Sequence, residues 1–537
     1  MKRKLLTALL CGALMLTSLA GCGQGAENRS DTNGASTGSE NAVKDELVFV
    51  NYRDIRDLNP HLYAGEMYAQ SILYDTLVSN TSEGYVGCLA EDWTISEDGR
   101  TYTFNIRDGV TFSDGTPCDA NAILANFNAI LENRERHTWL EMMNLLVGVS
   151  APDDDTFVIE MSEPYYPMLT ELACIRPFAM ISPNCMIDGS TKDGVNGYIG
   201  TGPYVLTDFV TDEYAVFERN ENYWGEKPAI RKITVKVIPD NQTRIMALEN
   251  GEIDLIFGKN MLDADAISQY VDSDKFTVGL SDPTSTRHIV LNTTHDILGD
   301  KSVRQALQHA TNRQAISEGI FYGLEPAADT LYSTTVPYCD VDLKPYAYDA
   351  DEAARLLDEA GWTMGSDGVR AKDGQKLALD LLYNSDSVTE KTISEYLQSE
   401  YLKLGISLNI HGEEEQSYRD NMKAGNFDMV FNICWGMPYD PQSSLAAMRA
   451  PVYGDYAAQQ GLEDKAEIDQ AITDILTSTD ETKRQELYTF VLTRLHEDAV
   501  YIPLTFETNK ALYTSDLKGV HFGTDQYDVD FASMYFE

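Results

Sequence analysis

What this 537-residue chain lacks narrows its chemistry before anything it contains. It has no His-Glu-x-x-His, no Walker loop and no Gly-x-Gly-x-x-Gly turn. Its eight histidines (His61, His137, His288, His295, His309, His411, His496 and His521) include no pair four residues apart, the spacing that puts two imidazoles on one helix face for zinc. There is no Cys-x-x-Cys pair, so neither a zinc knuckle nor a dithiol redox motif is supported. Basic residues are scarce: 41 Lys and Arg stand against 85 Asp and Glu, a formal charge of -44. That balance excludes the basic footprint a nucleic-acid partner needs. Carboxylates are too numerous for any pair to stand out as a catalytic dyad, and with no catalytic constellation an enzyme is disfavoured. The acidity reads as solubility, with attraction of cationic ligands as the alternative, since salt screens exposed charge beyond about 8 Å. Past Glu46 no apolar run approaches the roughly 20 residues a membrane span requires.

What is present begins at the N-terminus. Lys2, Arg3 and Lys4 precede an apolar run from Leu5 to Leu19, followed by Ala20, Gly21 and Cys22. A charged start, a hydrophobic middle and small residues make a secretory signal. The cysteine directly after Leu-Ala-Gly is the bacterial lipoprotein pattern, which predicts cleavage of residues 1–21 and lipid, palmitate included, on Cys22. An ordinary signal or a transmembrane anchor is the alternative, and the run is short for a span. Residues 22–44 are rich in Gly, Ser, Asn and Thr and read as a flexible linker. The rest is too long for one ordinary core and fits two lobes. Cys11 goes with the signal, and Cys88, Cys118, Cys174, Cys185, Cys339 and Cys434 are irregularly spaced, so buried free thiols are expected rather than bridges.

Strand and helix signals alternate throughout, which makes the class mixed α/β. Thr101 to Ile106 and Ile233 to Ile238 alternate at period two. Asn241 to Asn250 reads as a helix closed by Gly251. Ser302 is a candidate N-cap for the helix carrying Val303, Ala306, Leu307 and Ala310, and Asp349 to Glu352 resembles a capping box ahead of Leu356, Leu357 and Gly361. Ile393, Leu397, Tyr401 and Leu404 mark a further helix, as do Leu487, Val491 and Leu495, with strands at Leu377 to Leu382 and Phe427 to Ile433. The segment Asn432 to Pro441 leaves that last strand for a loop with Trp435, Gly436, Tyr439 and two prolines. Its aromatics suit either a ligand-pocket wall or a turn packed into the core.

Leu89 to Ala120 (LAEDWTISEDGRTYTFNIRDGVTFSDGTPCDA) resembles the signature region of family 5 extracellular solute-binding proteins of ABC importers. Ile199 to Tyr204, Arg219 to Gly225, Leu248 to Asp254, Leu291 to Thr293, Ala360 to Trp362 and Trp435 to Pro441 are further landmarks of that family, in order from about residue 47 to the C-terminus. Leu58 to Tyr63, Asn133 to Glu141, Arg176 to Phe178, RNENYWGEKP (Arg219 to Pro228) and Leu492 to His496 are similar to its nickel-binding members.

The resemblance implies a two-lobed α/β clamshell with mixed sheets and a hinge between the lobes: residues 45–285 with 508–537 as lobe I, and 286–507 as lobe II. It implies a binding protein, monomeric and with no permanently bound cofactor, that takes Ni²⁺ wrapped in a small organic chelator to the permease subunits of an ABC transporter. The positions matching the family's ligand contacts are Tyr63, Met67, Arg136, Trp139, Arg176, Trp435, Tyr439, Tyr453 and Tyr527. Arg136 and Arg176 would hold chelator carboxylates through forked hydrogen bonds, Trp139 and Trp435 would flank its flat parts, and Tyr63 and Tyr439 would orient it. Nickel-binding relatives carry a metal-ligating histidine where this chain has Tyr453, and a neutral phenol is a poor nickel ligand. The expected cargo is therefore a nickel chelate whose organic part completes the coordination shell. Cobalt, an opine-type metallophore or a short peptide is the alternative, and Met437-Pro438-Tyr439 cannot supply the aspartate that peptide-binding relatives use.

Overall fold

The structure is a computed structural model that describes residues 43–81, 84–259, 261–434, 441–523 and 527–537. The signal, Cys22 and most of the linker lie outside these residues, as do Trp435 and Tyr439. The largest unit of secondary structure is a mixed ten-stranded sheet. In spatial order its strands are Tyr204–Val210, Tyr214–Arg219, Lys232–Val237, Glu46–Asn51, Leu255–Phe257, Tyr501–Thr514, Phe276–Leu291, Met429–Cys434, Ala378–Asn384 and Ser407–Glu413. Glu46–Asn51 runs parallel to both neighbours, with Phe49 opposite Val235 and Leu255, and burial on both faces suits its apolar run. A separate antiparallel sheet holds Ala90–Ile95, Thr101–Ile106, Thr156–Met161 and Leu146–Ser150.

The two longest strands join the halves of the large sheet. Phe276 to Leu280 pair with Lys510 to Thr514, and Pro283 to Val290 pair with Tyr501 to Thr508. The register shifts between Leu280 and Pro283 and again between Pro283 and Ser285. Bulges of this kind bend a strand and raise its twist. Buried side chains group on either side of that bend. Leu47, Phe49, Phe217 and Phe531 form one core, Phe104, Phe127, Phe157 and Phe178 a second, and Ile256, Ile267 and Leu512 a third. Beyond the bend, Leu291, Leu307, Leu381 and Tyr401 form one core, and Val290, Leu445, Ile472, Tyr488 and Val491 another.

Helix boundaries follow local capping chemistry. Asp240 accepts from Thr243 N at 2.8 Å ahead of Asn241–Glu249, and Gly251 follows with φ of 73°. Asp349 accepts from Glu352 N at 2.9 Å, one half of the expected capping box; its own N–H donates to His309 O at 2.9 Å instead of to Glu352. The cap expected at Ser302 is instead Asp300, which accepts from Ser302 N at 3.0 Å and starts the helix Lys301–Ala310 two residues earlier. Among the described residues, Cys88, Cys118, Cys174, Cys185, Cys339 and Cys434 are all buried and form no disulfide, as expected. Burial pushes the Cys88 and Cys118 thiols well above their ordinary value, which leaves them inert.

Candidate functional site

The loop following the strand Glu46–Asn51 carries the first elements of the site. Asn59 Nδ2 donates to Thr191 O at 2.8 Å, and Gln70 Nε2 donates to Asn59 O at 3.1 Å, so Leu58 to Tyr63 is pinned from both sides. Gly65 packs against Asp57: an added Cβ would stand 2.3 Å from the Asp57 carbonyl oxygen, a position only glycine can occupy. The two loops, 54–58 and 63–66, are thus seated on one another at the edge of a cavity of about 600 Å³. Tyr63, Met67, Arg176 and Tyr527 share its wall with Arg53, Arg56, Glu66 and Lys259. A smaller cavity of about 200 Å³ adjoins it across Met67 and Tyr527, which line both.

Tyr63 is the centre of an aromatic knot. Its hydroxyl accepts from Trp139 Nε1 at 2.8 Å and shares a hydrogen bond of 2.7 Å with His137 Nδ1. The Tyr63 and Trp139 rings meet edge-on at 6.2 Å. Burial raises the Tyr63 phenol to about 12, so it stays protonated. Burial, helped by the Arg136 charge, lowers His137 to about 4, so it is neutral at physiological pH. Arg136 itself lies in the 3₁₀ turn Arg134–His137, exposed and beside this knot rather than in the cavity wall.

Arg176 is nearly buried and does more structural work than its sequence position suggested. Nε donates to Gln70 Oε1 at 2.6 Å, and the two terminal nitrogens donate to the carbonyls of Tyr63 (3.5 Å) and Gly65. It therefore stitches the Tyr63 loop to the helix Met67–Leu73 while facing the cavity. Tyr453 is placed as the N-cap of the helix Gly454–Gln459 and is not in the cavity wall. Burial raises its phenol too, which makes it a still weaker metal ligand than an exposed tyrosine. Among the described residues no group of three or more His, Cys, Asp or Glu is placed to hold a metal ion.

Sequence reading missed Arg53, Arg56, Glu66 and Lys259 in the wall, and His137 behind it. His137 lies within the Asn133 to Glu141 segment, but nothing local distinguishes a histidine that braces a tyrosine from one on a surface turn.

A model of bacterial extracellular solute-binding proteins, family 5 middle, matches residues 84–455. The chain belongs to that family. It is 41% identical over 498 residues, 92% of this chain and 95% of its relative, to the nickel-binding periplasmic protein of Escherichia coli K12. It is 26% identical to the dipeptide-binding protein of the same organism, over 88% of this chain and 91% of that one. The crystal structure of NikA from Brucella suis in complex with Fe(III)-EDTA superposes with a TM-score of 0.88 at 44% identity, covering 92% of this chain and all of the other. The family 5 fold is a two-lobed α/β clamshell, and its members are binding proteins of ABC importers rather than enzymes, working with membrane permeases on small-molecule ligands outside the cytoplasm. Among the described residues no helix is long and apolar enough to cross a membrane.

Glu171 ties the site to the fold through one titrating group. It accepts from Tyr165 Oη at 2.5 Å, from Met142 N at 3.0 Å and from Glu141 N at 3.3 Å, capping the short helix Glu141–Leu145 two residues beyond Trp139. Burial outweighs these donors and raises its carboxyl to about 8. Because the folded value lies above the unfolded one, Glu171 contributes stability below about pH 4.3 and loses it as pH rises toward 8. Glu171→Gln should remove that slope. Thermal melts of the variant should depend less on pH between 5 and 8 than those of the parent, and parallel curves would refute the assignment.

Proposed function

We propose that this chain is the lipid-anchored binding component of a nickel importer and captures Ni²⁺ as a metal–organic chelate. The observation that carries the reading is the composition of the 600 Å³ cavity: arginine, tyrosine and methionine line it without a clustered set of metal-ligating side chains among the described residues. Such a wall suits a ligand that brings its own coordination shell, because cations and aromatic faces recognise carboxylates and flat organic groups. The identity to the Escherichia coli nickel-binding protein and the likeness to a relative crystallised with a metal chelate support the same cargo. Trp139 reaches the cavity through its bond to Tyr63, and Arg136 stands beside that knot. Trp435 and Tyr439 complete the proposed contacts from the loop outside the described residues. Tyr453, placed outside the cavity wall, would not coordinate the metal.

Lobe I is assigned to residues 45–285 with 508–537 and lobe II to 286–507. The grouping of buried side chains on either side of the bulged strand pair supports this division. Leu19-Ala20-Gly21-Cys22 supports the lipid anchor, and a tethered receptor keeps its ligand at high effective concentration near the permease.

Isothermal calorimetry tests the cargo. Ni²⁺ with histidine or EDTA should bind at least about 100-fold more tightly than Ni²⁺ alone, since a naked ion needs several protein ligands in one place. Equally tight binding of the bare ion would sink the chelate reading. Native mass spectrometry of protein purified from its host should show a bound mass containing nickel, and a peptide mass without metal would overturn the cargo.

A further inference from the structure

Four cationic side chains line the main cavity, and they are not equivalent. Arg53 is paired with Glu66 at 2.5 Å, and Lys259 with Glu507 at 3.1 Å. Arg176 is committed to Gln70 and to the carbonyls of the Tyr63 loop. Arg56 differs from all three. Its guanidinium makes no hydrogen bond or ion pair among the described residues, although the chain carries twice as many acidic groups as basic ones. Asp54 and Asp57 flank it in sequence, but Asp54 accepts from the Arg56 and Asp212 backbone N–H groups, and Asp57 accepts from Asn59 N and Tyr198 Oη. Both acids are thus turned to other work.

The backbone at Arg56 adds a second observation. Its φ is 55°, in the left-handed region where glycine or asparagine is at ease and a long side chain costs about 1 kcal/mol or more. The loop holding it is fixed on both sides, by Glu66 N donating to Ile55 O at 3.0 Å and by the close seat of Gly65 on Asp57. Counting Glu66 against Arg53 and Glu507 against Lys259, the wall retains the positive charge of Arg56 and Arg176, opposite in sign to the molecule as a whole.

We infer that Arg56 is a specificity-determining residue of the ligand cleft: it receives an outward carboxylate of the bound chelate and selects for chelates with net negative charge. The inference rests on the proposed capture of a metal chelate. A fork of five N–H donors free of protein partners is suited to bidentate hydrogen bonding with such a carboxylate. A neutral chelate offers no net negative charge to the guanidinium and gains less from it.

The test compares the parent protein with Arg56→Gly, which accepts the backbone conformation, and with Arg56→Lys, which keeps the charge without the fork. The probes are Ni–EDTA, a dianion, and neutral Ni–bis-histidine, titrated by calorimetry at low and high salt. Arg56→Gly should weaken Ni–EDTA binding by about tenfold or more and leave Ni–bis-histidine within about twofold, the loss expected for charge-assisted hydrogen bonds. Arg56→Lys should fall between, with its residual preference removed by salt. Equal losses for both chelates, or none for either, would overturn the role of Arg56. If the parent binds neither chelate, the nickel reading fails, and metal-free tricarballylate decides the inference separately. Tricarballylate binding that Arg56→Gly weakens would sustain an anion-selecting Arg56, and binding that it does not weaken, or no binding at all, would overturn it.

Discussion

Glu507→Ala is expected to destabilise the protein by about 3–5 kcal/mol, the cost of removing one partner from a buried charge cluster. Glu507 lies on the strand Tyr501–Thr514, almost wholly buried, where the two long strands bend. Its carboxylate accepts from Arg287, from Ser285 and, at 3.1 Å, from Lys259. Glu325 is the second acid of the cluster, accepting from Lys510 Nζ at 3.1 Å and Thr505 Oγ1 at 3.0 Å and lying 3.7 Å from Arg287. Three cations therefore share two carboxylates. Deleting Glu507 would leave the partly buried Arg287 and Lys259 with one acid between three cations. Burial alone would raise the Glu507 carboxyl, but Arg287 and then Lys259 outweigh it and hold the group well below the usual carboxylate range.

The sign of the pH dependence follows. A depressed folded value means that the contribution is present above the unfolded value of about 4.3 and is lost as pH falls below it. Thermal melts should place the Glu507→Ala transition at least about 5 °C below the parent at pH 7. The gap should narrow below pH 4, where the parent's own carboxylate is being protonated. Coincident melts at pH 7 would show the cluster to be energetically idle. Lys259 also lines the ligand cavity, so the same variant links the bend in the sheet to the site.

What could be read from sequence divides by the range of the interaction. The strand Thr101–Ile106 and the capped helices after Asp240 and Asp349 depend on neighbours within a few residues, and they stand where alternation and capping chemistry put them. Ser302 failed as a cap because Asp300 is an equally good acceptor two residues earlier, and the apolar spacing fixes the helix face rather than its first residue. The ten-stranded sheet was beyond local reading. It pairs Glu46 with Lys232 and Val290 with Tyr501, and no short-range pattern encodes such partners. At the site, family resemblance supplied Tyr63, Met67, Arg176 and Tyr527, and one cavity wall gathers those four. Arg56 was missed for a physical reason. In Asp54-Ile55-Arg56-Asp57 an arginine between two aspartates reads as a neutralised surface residue, and only the fold reveals that both acids are engaged elsewhere.

Tyr166→Ala is expected to weaken ligand binding without touching the cavity. Its neighbours Tyr165 and Met168 pack in the core with Phe104 and Phe157, whereas Leu476, Tyr488 and Val491 belong to a core beyond the bend. Tyr166 spans the two. Its backbone N donates to Leu476 O at 3.0 Å, its hydroxyl donates to Glu481 Oε1 at 2.6 Å, and its ring lies 3.4 Å from the centre of the Arg484 guanidinium. Arg484 is fully buried beneath it, flanked by Tyr338 and Tyr488 and donating to the Ile475 and Ser478 carbonyls. Under the two-lobe division proposed above, such a contact would act as a clasp on the closed state. A desolvated cation–π contact is worth about 2 kcal/mol, and the hydrogen bond to the exposed Glu481 carboxylate about 0.5–1 kcal/mol. Their loss shifts the open–closed ratio by roughly 100-fold, and apparent affinity falls by the fraction of closed, competent protein that is lost. Calorimetry with Ni–EDTA should show Tyr166→Ala binding about 10- to 100-fold more weakly than the parent. Tyr166→Phe, which keeps the ring over Arg484 and drops only the hydroxyl, should lie between them. Small-angle scattering should find the ligand-free Tyr166→Ala protein more expanded than the parent. Affinity within twofold of the parent would mean that Tyr166 rides on closure without stabilising it.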